Sequence, residues 1–289
     1  MRNPEQLKGV IRNIAKDKNL KPHEVLQMYL FERILERLSL SSYRNNFILK
    51  GGLLIASMIG VESRSTLDMD TTVKNILMDD FVIREAVQEL IQIDIEDGIE
   101  FMYEKMEPIR EDDEYKNFRV HLKAVYGKIV APMKIDITTG EIITPSAIEY
   151  SFRLMLEDRE IRVMAYNLET ILAEKYETII RRNIGTTRVR DYYDLYMLYR
   201  SRISEISRND FIDAVGNTAK QRGSLELLAD WQEICEDIKK EKTLEMLWIN
   251  YQKENNYAAD ISFEEVTNNI QEVAQYLNNN DQLQTEDRL

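Results

Sequence analysis

The sequence predicts an α+β protein, bilobed, with a mixed-sheet lobe followed by an all-helical lobe. Two segments carry the strand prediction. Phe118, Val120, Leu122, Ala124 and Tyr126 alternate with polar residues, and Met133, Ile135 and Ile137 alternate with Lys134, Asp136 and Thr138. That period of two is the signature of a half-buried strand. A change of character carries the division: from residue 168 to about residue 278 nearly every segment repeats its apolar positions with helical spacing. The expected boundaries are residues 1–165 for the sheet-bearing lobe and 166–289 for the helical one.

Taken in order, residues 4–17 and 22–40 read as two helices. In the second, Val25, Leu26, Tyr29, Leu30, Ile34 and Leu38 share a stripe and Pro22 suits the first turn. Phe47-Ile48-Leu49 reads as a short strand running into Lys50-Gly51-Gly52, and residues 53–59 as a brief buried helix. Residues 66–73 are expected to form a strand, followed by a helix that Asp79 or Asp80 caps. The pattern is strand-like from 99 to 165, with further strand candidates at 148–156 and 161–165. In the helical part, breaks are expected near 184–187, 202–208, 222–224 and 255–262. The polar tail NNNDQLQTEDRL reads as frayed. No internal repeat or low-complexity tract is visible.

The apolar fraction of 44% over 289 residues is enough for a proper core. The net charge of −13 argues against a molecule coated in basic surface for non-specific nucleic-acid binding, though it leaves room for a local basic groove. The single cysteine, Cys235, excludes an internal disulfide framework and a cysteine-based zinc site. With only His23 and His121 besides, any metal must be held by carboxylate oxygens, which points to Mg²⁺ or Mn²⁺. No run of 18 uncharged apolar residues suggests a membrane span, and the charged N-terminus lacks the apolar core of a signal peptide. The expected location is the cytoplasm.

Four constellations carry chemistry. The first is Lys50-Gly51-Gly52 followed, sixteen residues after Gly52, by Asp68-Met69-Asp70, with Arg64 and Thr66 between. Paired glycines let a backbone approach a phosphate closely, and a helix N-terminus favours negative charge. Two carboxylates at i and i+2 on a strand share a face, where a divalent cation on triphosphate oxygens would relieve their repulsion. A tight turn beside two solvated aspartates fits the spacing equally well. The second is Lys134-Ile135-Asp136, whose acid would complete a metal site or act as general base on an attacking hydroxyl; an ordinary ion-pair face is the alternative. The third is Glu174-Lys175, inside a helix expected from residue 168 to about 182. Lys175 borders the buried stripe of Leu172, Tyr176 and Ile179, placed to reach a cleft and a triphosphate or simply to pair with a glutamate. The fourth is Arg188-Val189-Arg190-Asp191-Tyr192-Tyr193-Asp194. Here Asp191 and Asp194 lie one turn apart, and with Arg181 and Arg182 this is the most basic stretch of an acidic chain. Its arginines suit a triphosphate or an RNA backbone, or salt bridges at a helix start. His121 is read as structural or exposed. Of Tyr192, Tyr193, Tyr196 and Tyr199, one could stack a base, while most are read as core or interface.

In this order, FILKGGLLIASM with RSTLDMD, MKIDIT, NLETILAEKYETIIRR and RVRDYYDLYML resemble the motifs of the AbiEii-type nucleotidyltransferase toxins, within the DNA polymerase β-like superfamily. The resemblance covers roughly residues 45–200. It implies that Gly51 and Gly52 cradle NTP phosphates, that Asp68 and Asp70 bind metal, and that Lys50 contacts phosphate. Arg64, Lys175, Arg188 and Asp194 are then further NTP-binding candidates, Asp136 the third metal-binding acid, and Lys175 and Asp191 the catalytic residues of the family's third and fourth motifs. Many relatives carry Gly-Ser where this chain has Gly51-Gly52. The implied activity is transfer of a nucleotide from an NTP to an RNA acceptor, the acceptor end of tRNA, by the toxin of a bacterial toxin–antitoxin pair linked to abortive phage infection. The implied antitoxin is a separate regulator that need not touch the toxin. Transfer to a protein hydroxyl or a small molecule such as an antibiotic, and an inactive NTP-binding module, are the alternatives.

Overall fold

The computed structural model describes residues 3–109 and 117–279; the end of the polar tail, residues 280–289, lies outside them. The chain divides into two compact units. One comprises residues up to Glu141 together with Ala147–Tyr166, the other Ile142–Ser146 together with Asn167 onward.

The first unit begins with α1 (Pro4–Asp17) and α2 (Pro22–Leu40), the two expected helices. Asn3 caps α1 by accepting the Gln6 N–H at 2.9 Å. Then come β1 (Phe47–Lys50), α3 (Gly51–Ile59), β2 (Met69–Val73) and α4 (Asp80–Ile91). Of the two acids that could cap α4, Asp79 does so, accepting the Phe81 N–H at 2.9 Å. β3 (Glu100–Pro108), β4 (Phe118–Tyr126), β5 (Ile129–Thr138), β6 (Ile148–Arg153) and β7 (Glu160–Ala165) complete it. The strands form one mixed sheet in the order β3-β4-β5-β2-β1-β7-β6. β2 pairs parallel with β5 and antiparallel with β1, and β1 pairs parallel with β7. β4 and β5 alternate buried and polar positions as their spacing requires. They meet at a two-residue turn in which Gly127 takes φ +59°.

Three boundaries differ from the expectation by more than one residue: β6 ends at Arg153 rather than at 156, and the other two lie at the glycines and aspartates. α3 starts at Gly51 rather than at 53, because Gly51 can take the φ of +68° that turns the chain from strand directly into helix. β2 starts at Met69 rather than 66, because Thr66 Oγ1 bonds both the N–H and the carbonyl of Asp68 and draws that stretch out of the ladder.

α2 is buried nearly all round, packed against α1, α4 and β7. Each fully buried leucine or isoleucine there is worth about 1.5–3 kcal/mol of transfer free energy. Of its buried charged residues, Arg37 is held by pairing: it forks onto Asp97 at 2.9 Å per arm and donates to the Arg33 and Ile99 carbonyls.

The second unit contains α5 (Leu168–Arg182), α6 (Arg190–Arg202), α7 (Arg208–Gln221), α8 (Trp231–Lys240), α9 (Lys242–Glu254) and α10 (Phe263–Asn278). Asn167 explains why Ile142–Ser146 belongs here. Its side chain caps α5 through the Thr170 N–H at 2.8 Å and donates to the Thr144 and Ser146 carbonyls. All four expected breaks occur. A fifth, at Glu241 between α8 and α9, has no glycine or proline to announce it; Glu241 takes an extended conformation and caps α9 through the Thr243 N–H. Among the described residues no helix is long and apolar enough to cross a membrane.

Candidate functional site

In the first unit the glycine turn and the paired aspartates are packed together. Lys50 ends β1 in extended backbone and Gly51 turns at once into α3. A Cβ on Gly51 would stand 2.1 Å from Asp70 Oδ2, so the Asp70 carboxylate lies against the backbone of the turn. A Cβ on Gly52 would stand 2.8 Å from Thr66 Oγ1 and 3.1 Å from Arg64 Nη2. Arg64, with 2% exposure, is tucked beneath the turn and donates to the Ser65 carbonyl. It braces the cradle rather than presenting a surface charge. Asp68 and Asp70 flank the buried Met69 and are both half-buried, as two acids on one face must be.

The strand register extends this pair into a row of charge. Lys50 stands opposite Asp70, Asp70 beside Asp136, Asp136 opposite Arg119, and Arg119 opposite Glu107. Arg119 forks onto Asp136, Nε to Oδ1 and Nη2 to Oδ2, each at 2.7 Å. Its pKa is raised, first by the hydrogen bonds to Asp136 and then by the charges of Asp136, Asp68 and Glu107, with burial opposing. Lys50 pairs with Glu141, and its ammonium lies 5.7 Å from the Tyr166 ring centroid. Glu141 also accepts from the Thr138 hydroxyl at 2.8 Å and the Tyr166 hydroxyl at 3.0 Å. Burial works against the Glu141 carboxylate, but the Lys50 ammonium and the Thr72 and Thr138 hydroxyls outweigh it and hold the group below the usual carboxylate range. Lys50 is thus anchored at the end of the row rather than extended into solvent. Lys134 belongs to the next rung of the sheet, opposite His121, whose Nε2 lies 2.8 Å from Glu107 Oε1.

The donors fit a hard cation. Asp68 and Asp70 offer carboxylate oxygens beside a turn whose first residue, Gly51, leaves no room for a side chain, and Mg²⁺ is typically held by one or two carboxylates plus substrate phosphates. Among the described residues no group of three or more His, Cys, Asp or Glu is placed to hold a metal ion. Asp136 is engaged by Arg119 instead of converging with the other two.

In the second unit Lys175 of α5 reaches Asp191 Oδ1 at 2.6 Å and Asp194 Oδ2 at 3.0 Å, both from α6. Those two acids, one helical turn apart, are buried, Asp194 completely. Burial alone would lower the Lys175 pKa; Asp194 and Asp191 overcome it and raise the pKa, so the group is a fixed cation. Arg188 Nε closes on the other oxygen of Asp191 at 3.1 Å. Arg181 is taken by the buried Glu177 at 2.7 Å, while Arg190 opens α6 exposed. Tyr192 and Tyr193 are core, while Tyr196 and Tyr199 are half-buried, with Arg200 over Tyr196 and Tyr276 against Tyr199.

Sequence reasoning missed Arg119, Glu141 and Tyr166. Arg119 occupies the polar phase of β4, a visible signal, but only the register places it opposite Asp136. Nothing local marks Glu141 or Tyr166.

A glycine turn closing β1 against paired aspartates at the head of β2, in a mixed sheet, defines a nucleotidyltransferase. The chain belongs to the nucleotidyl transferase AbiEii toxin family of type IV toxin–antitoxin systems, whose sequence profile matches residues 33–275. A nucleotide substrate and an antitoxin partner come with that membership. Among solved structures the chain is similar to the nucleotidyltransferase toxin MenT4 from Mycobacterium tuberculosis, at 14% identity and TM-score 0.54, covering 93% of this chain and 98% of that one. It is also similar to JHP933 from Helicobacter pylori, at 16% identity and TM-score 0.51, covering 89% and 93%. At such identities these likenesses speak to the fold. A search of curated proteins finds no match.

Proposed function

We propose that this nucleotidyltransferase uses Mg²⁺ or Mn²⁺ held by Asp68 and Asp70 to transfer a nucleotide from an NTP to an RNA acceptor, the acceptor end of tRNA. The observation that carries the reading is the Asp70 carboxylate seated on the backbone of the Gly51 turn, which puts a cation-binding group and a phosphate cradle within one contact. The bound cation would supply charge neutralisation on the triphosphate. Gly51 and Gly52 admit phosphate close to the backbone, and the start of α3 directs its N–H groups there. Asp136, paired with Arg119, would accept a proton from the attacking hydroxyl once that pair opens. Arg119 is then released toward developing negative charge. Lys50 is a phosphate contact when it leaves Glu141, and Arg64 positions the turn from below. Lys175 and Arg188, oriented by Asp191 and Asp194, are proposed to contribute to NTP binding and to stabilising the leaving pyrophosphate. The reaction would take place in the cytoplasm and serve phage defence, with the antitoxin acting as a separate regulator.

The test is to incubate the purified protein with total bacterial tRNA, Mg²⁺ and each labelled NTP in turn, beside an Asp68→Ala/Asp70→Ala double variant. Label on tRNA with wild type alone is the expected result and names the nucleotide. Label on protein or on a small acceptor would refute the RNA acceptor and keep the chemistry, in line with the net charge of −13. Mg²⁺-dependent NTP binding without any transfer would refute the reaction.

A further inference from the structure

The polar face of β3, β4 and β5 leads directly away from the acid row. Along β5, Asp136 shares its face with Lys134 and then Pro132, each two-residue step covering about 6.8 Å. On the first rung beyond the acids, the register sets Lys134 opposite His121 and His121 opposite Lys105. On the second it sets Pro132 opposite Lys123 and Lys123 opposite Met102. The intervening residues of β4 and β5 are buried, so these side chains stand on the open side of the sheet.

Charge on this face runs against that of the chain. The protein carries a net −13, yet three lysines and a histidine gather within two rungs of Asp136. Lys123 pairs with Glu104 and Lys105 with Glu107, and all four of those side chains are more than a third exposed. Ion pairs so exposed contribute little, and a phosphate can take the place of either carboxylate. Lys134 is exposed and has no ion-pair partner among the described residues. The stretch around α6 that is most basic in sequence is less available: Arg181 is held by buried Glu177 and Arg188 by buried Asp191.

We propose, resting on the nucleotidyl-transfer reading above, that this sheet face is where the acceptor docks. The phosphate backbone of a single-stranded RNA end crosses Lys123, Lys105 and Lys134 and brings its terminal hydroxyl to Asp136. Position favours this occupant. The Gly51 turn closes the acid row at its β1 end, while the lysines adjoin it on the β5 and β4 side. Triphosphate and acceptor therefore reach the row from different sides and do not compete for one surface. Lysines tracking a backbone suit a strand without a fixed sequence. Beside Lys123, Met102 is 47% exposed and Pro132 is exposed, which gives an unstacked base an apolar surface to rest on.

The test is binding of a fluorescein-labelled single-stranded RNA of about ten nucleotides to the full chain, read by anisotropy. It is run without NTP or Mg²⁺, so its outcome does not depend on transfer. Three phosphate contacts predict that log K falls with log salt at a slope of about −2 between about 50 and about 200 mM. Lys123→Gln/Lys134→Gln should make that slope shallower by about 1.4 and weaken binding at least about tenfold at the lower salt. Both lysines lie on the surface, so the variant should keep the wild-type unfolding curve. Arg190→Gln, at the exposed start of α6, should change neither affinity nor slope. Lysine-dependent RNA binding without any nucleotide transfer by wild type would refute the reaction and leave the dock standing. No binding by wild type up to about 100 μM RNA at the lower salt, or unchanged affinity and slope in the double lysine variant, would overturn the proposal. Poly-glutamate binding as tightly as RNA, with the same dependence on the lysines, would also overturn it in favour of an acidic protein.

Discussion

Replacing Gly51 with alanine tests the seat of the proposed site with a single methyl group. Two costs add at this position. The backbone sits at φ +68°, where a non-glycine residue costs about 1–2 kcal/mol. The new Cβ would also stand 2.1 Å from Asp70 Oδ2, with Cγ and Cβ of the same side chain at 2.7 and 2.8 Å. No rotation of a remote side-chain end relieves that crowding, so Asp70 or the turn must move, at a further cost of about 1–3 kcal/mol. Gly51→Ala should therefore lose about 2–5 kcal/mol in urea unfolding, or fold with Asp70 displaced and Mg²⁺-dependent NTP binding abolished. Gly52→Ser is the control. Gly52 does not occupy the left-handed region, and its added Cβ would meet Thr66 at Oγ1 and Cβ, 2.8 and 3.1 Å away, and Arg64 Nη2 at 3.1 Å. These side chains must shift but the backbone need not, so the loss should be smaller than for Gly51→Ala, about 1–2 kcal/mol, and binding should persist. Unfolding and NTP-binding curves for Gly51→Ala that superimpose on wild type would refute the reasoning.

Other consequences are equally direct. Asp194→Asn removes half of the charge that holds Lys175 and should cost about 3 kcal/mol in denaturant unfolding, because a buried cation loses a buried partner; a loss below about 1 kcal/mol would mean that Asp191 alone suffices. Arg119→Met should change stability by no more than about 1 kcal/mol, since over a third of its side chain is exposed, yet reduce nucleotidyl transfer at least about tenfold; unchanged turnover would remove Arg119 from the mechanism. Asn167→Ala strips the α5 cap and two bonds to the 142–146 segment, for an expected loss of about 1–3 kcal/mol by thermal or urea unfolding. Glu32, raised from 4.5 to about 8 in the folded protein, binds its proton more tightly there than in the unfolded chain. Its contribution to stability is thus complete below pH 4.5 and is lost as pH rises through about 8, a change of a few kcal/mol; Glu32→Gln should flatten the stability profile over that window, and an unaltered slope would contradict the assignment.

What could be read in advance follows from the range of each interaction. β4 and β5 were legible because a strand's burial pattern is written in its own residues, whereas the sequence left the cap of α4 open between Asp79 and Asp80 and only the structure assigns it to Asp79. Gly51-Gly52 and Asp68-Met69-Asp70 were recognisable by spacing, although neither motif says that Asp70 lies on the glycine backbone. The pairing of Arg119 with Asp136 and the anchoring of Lys50 by Glu141 depend on strand order β4-β5-β2-β1, which no single segment encodes. The same limit applies to Lys175, whose position beside a buried stripe fitted a cleft-facing phosphate ligand and a salt-bridged lysine equally. Packing α5 against α6 gave it two buried aspartates at once. The break at Glu241 has no local marker: one glutamate in extended backbone separates two helices with no glycine or proline between them.

The register also says why these charges are worth their cost. Asp70 and Asp136 stand side by side on parallel neighbours, an arrangement of like charges that weakens a sheet. Lys50 and Arg119 bracket the two acids, but each is tied to a carboxylate, Lys50 to Glu141 and Arg119 to Asp136 itself. Asp68 adds a further negative charge at the head of β2. A sheet selected for stability alone would place apolar or alternating charges on these rungs, as β4 and β5 do elsewhere. Local rules broken together at one glycine turn mark a functional site rather than a purely structural one, and an oxygen-only donor set of this kind is the basis for proposing a cation of the Mg²⁺ class there.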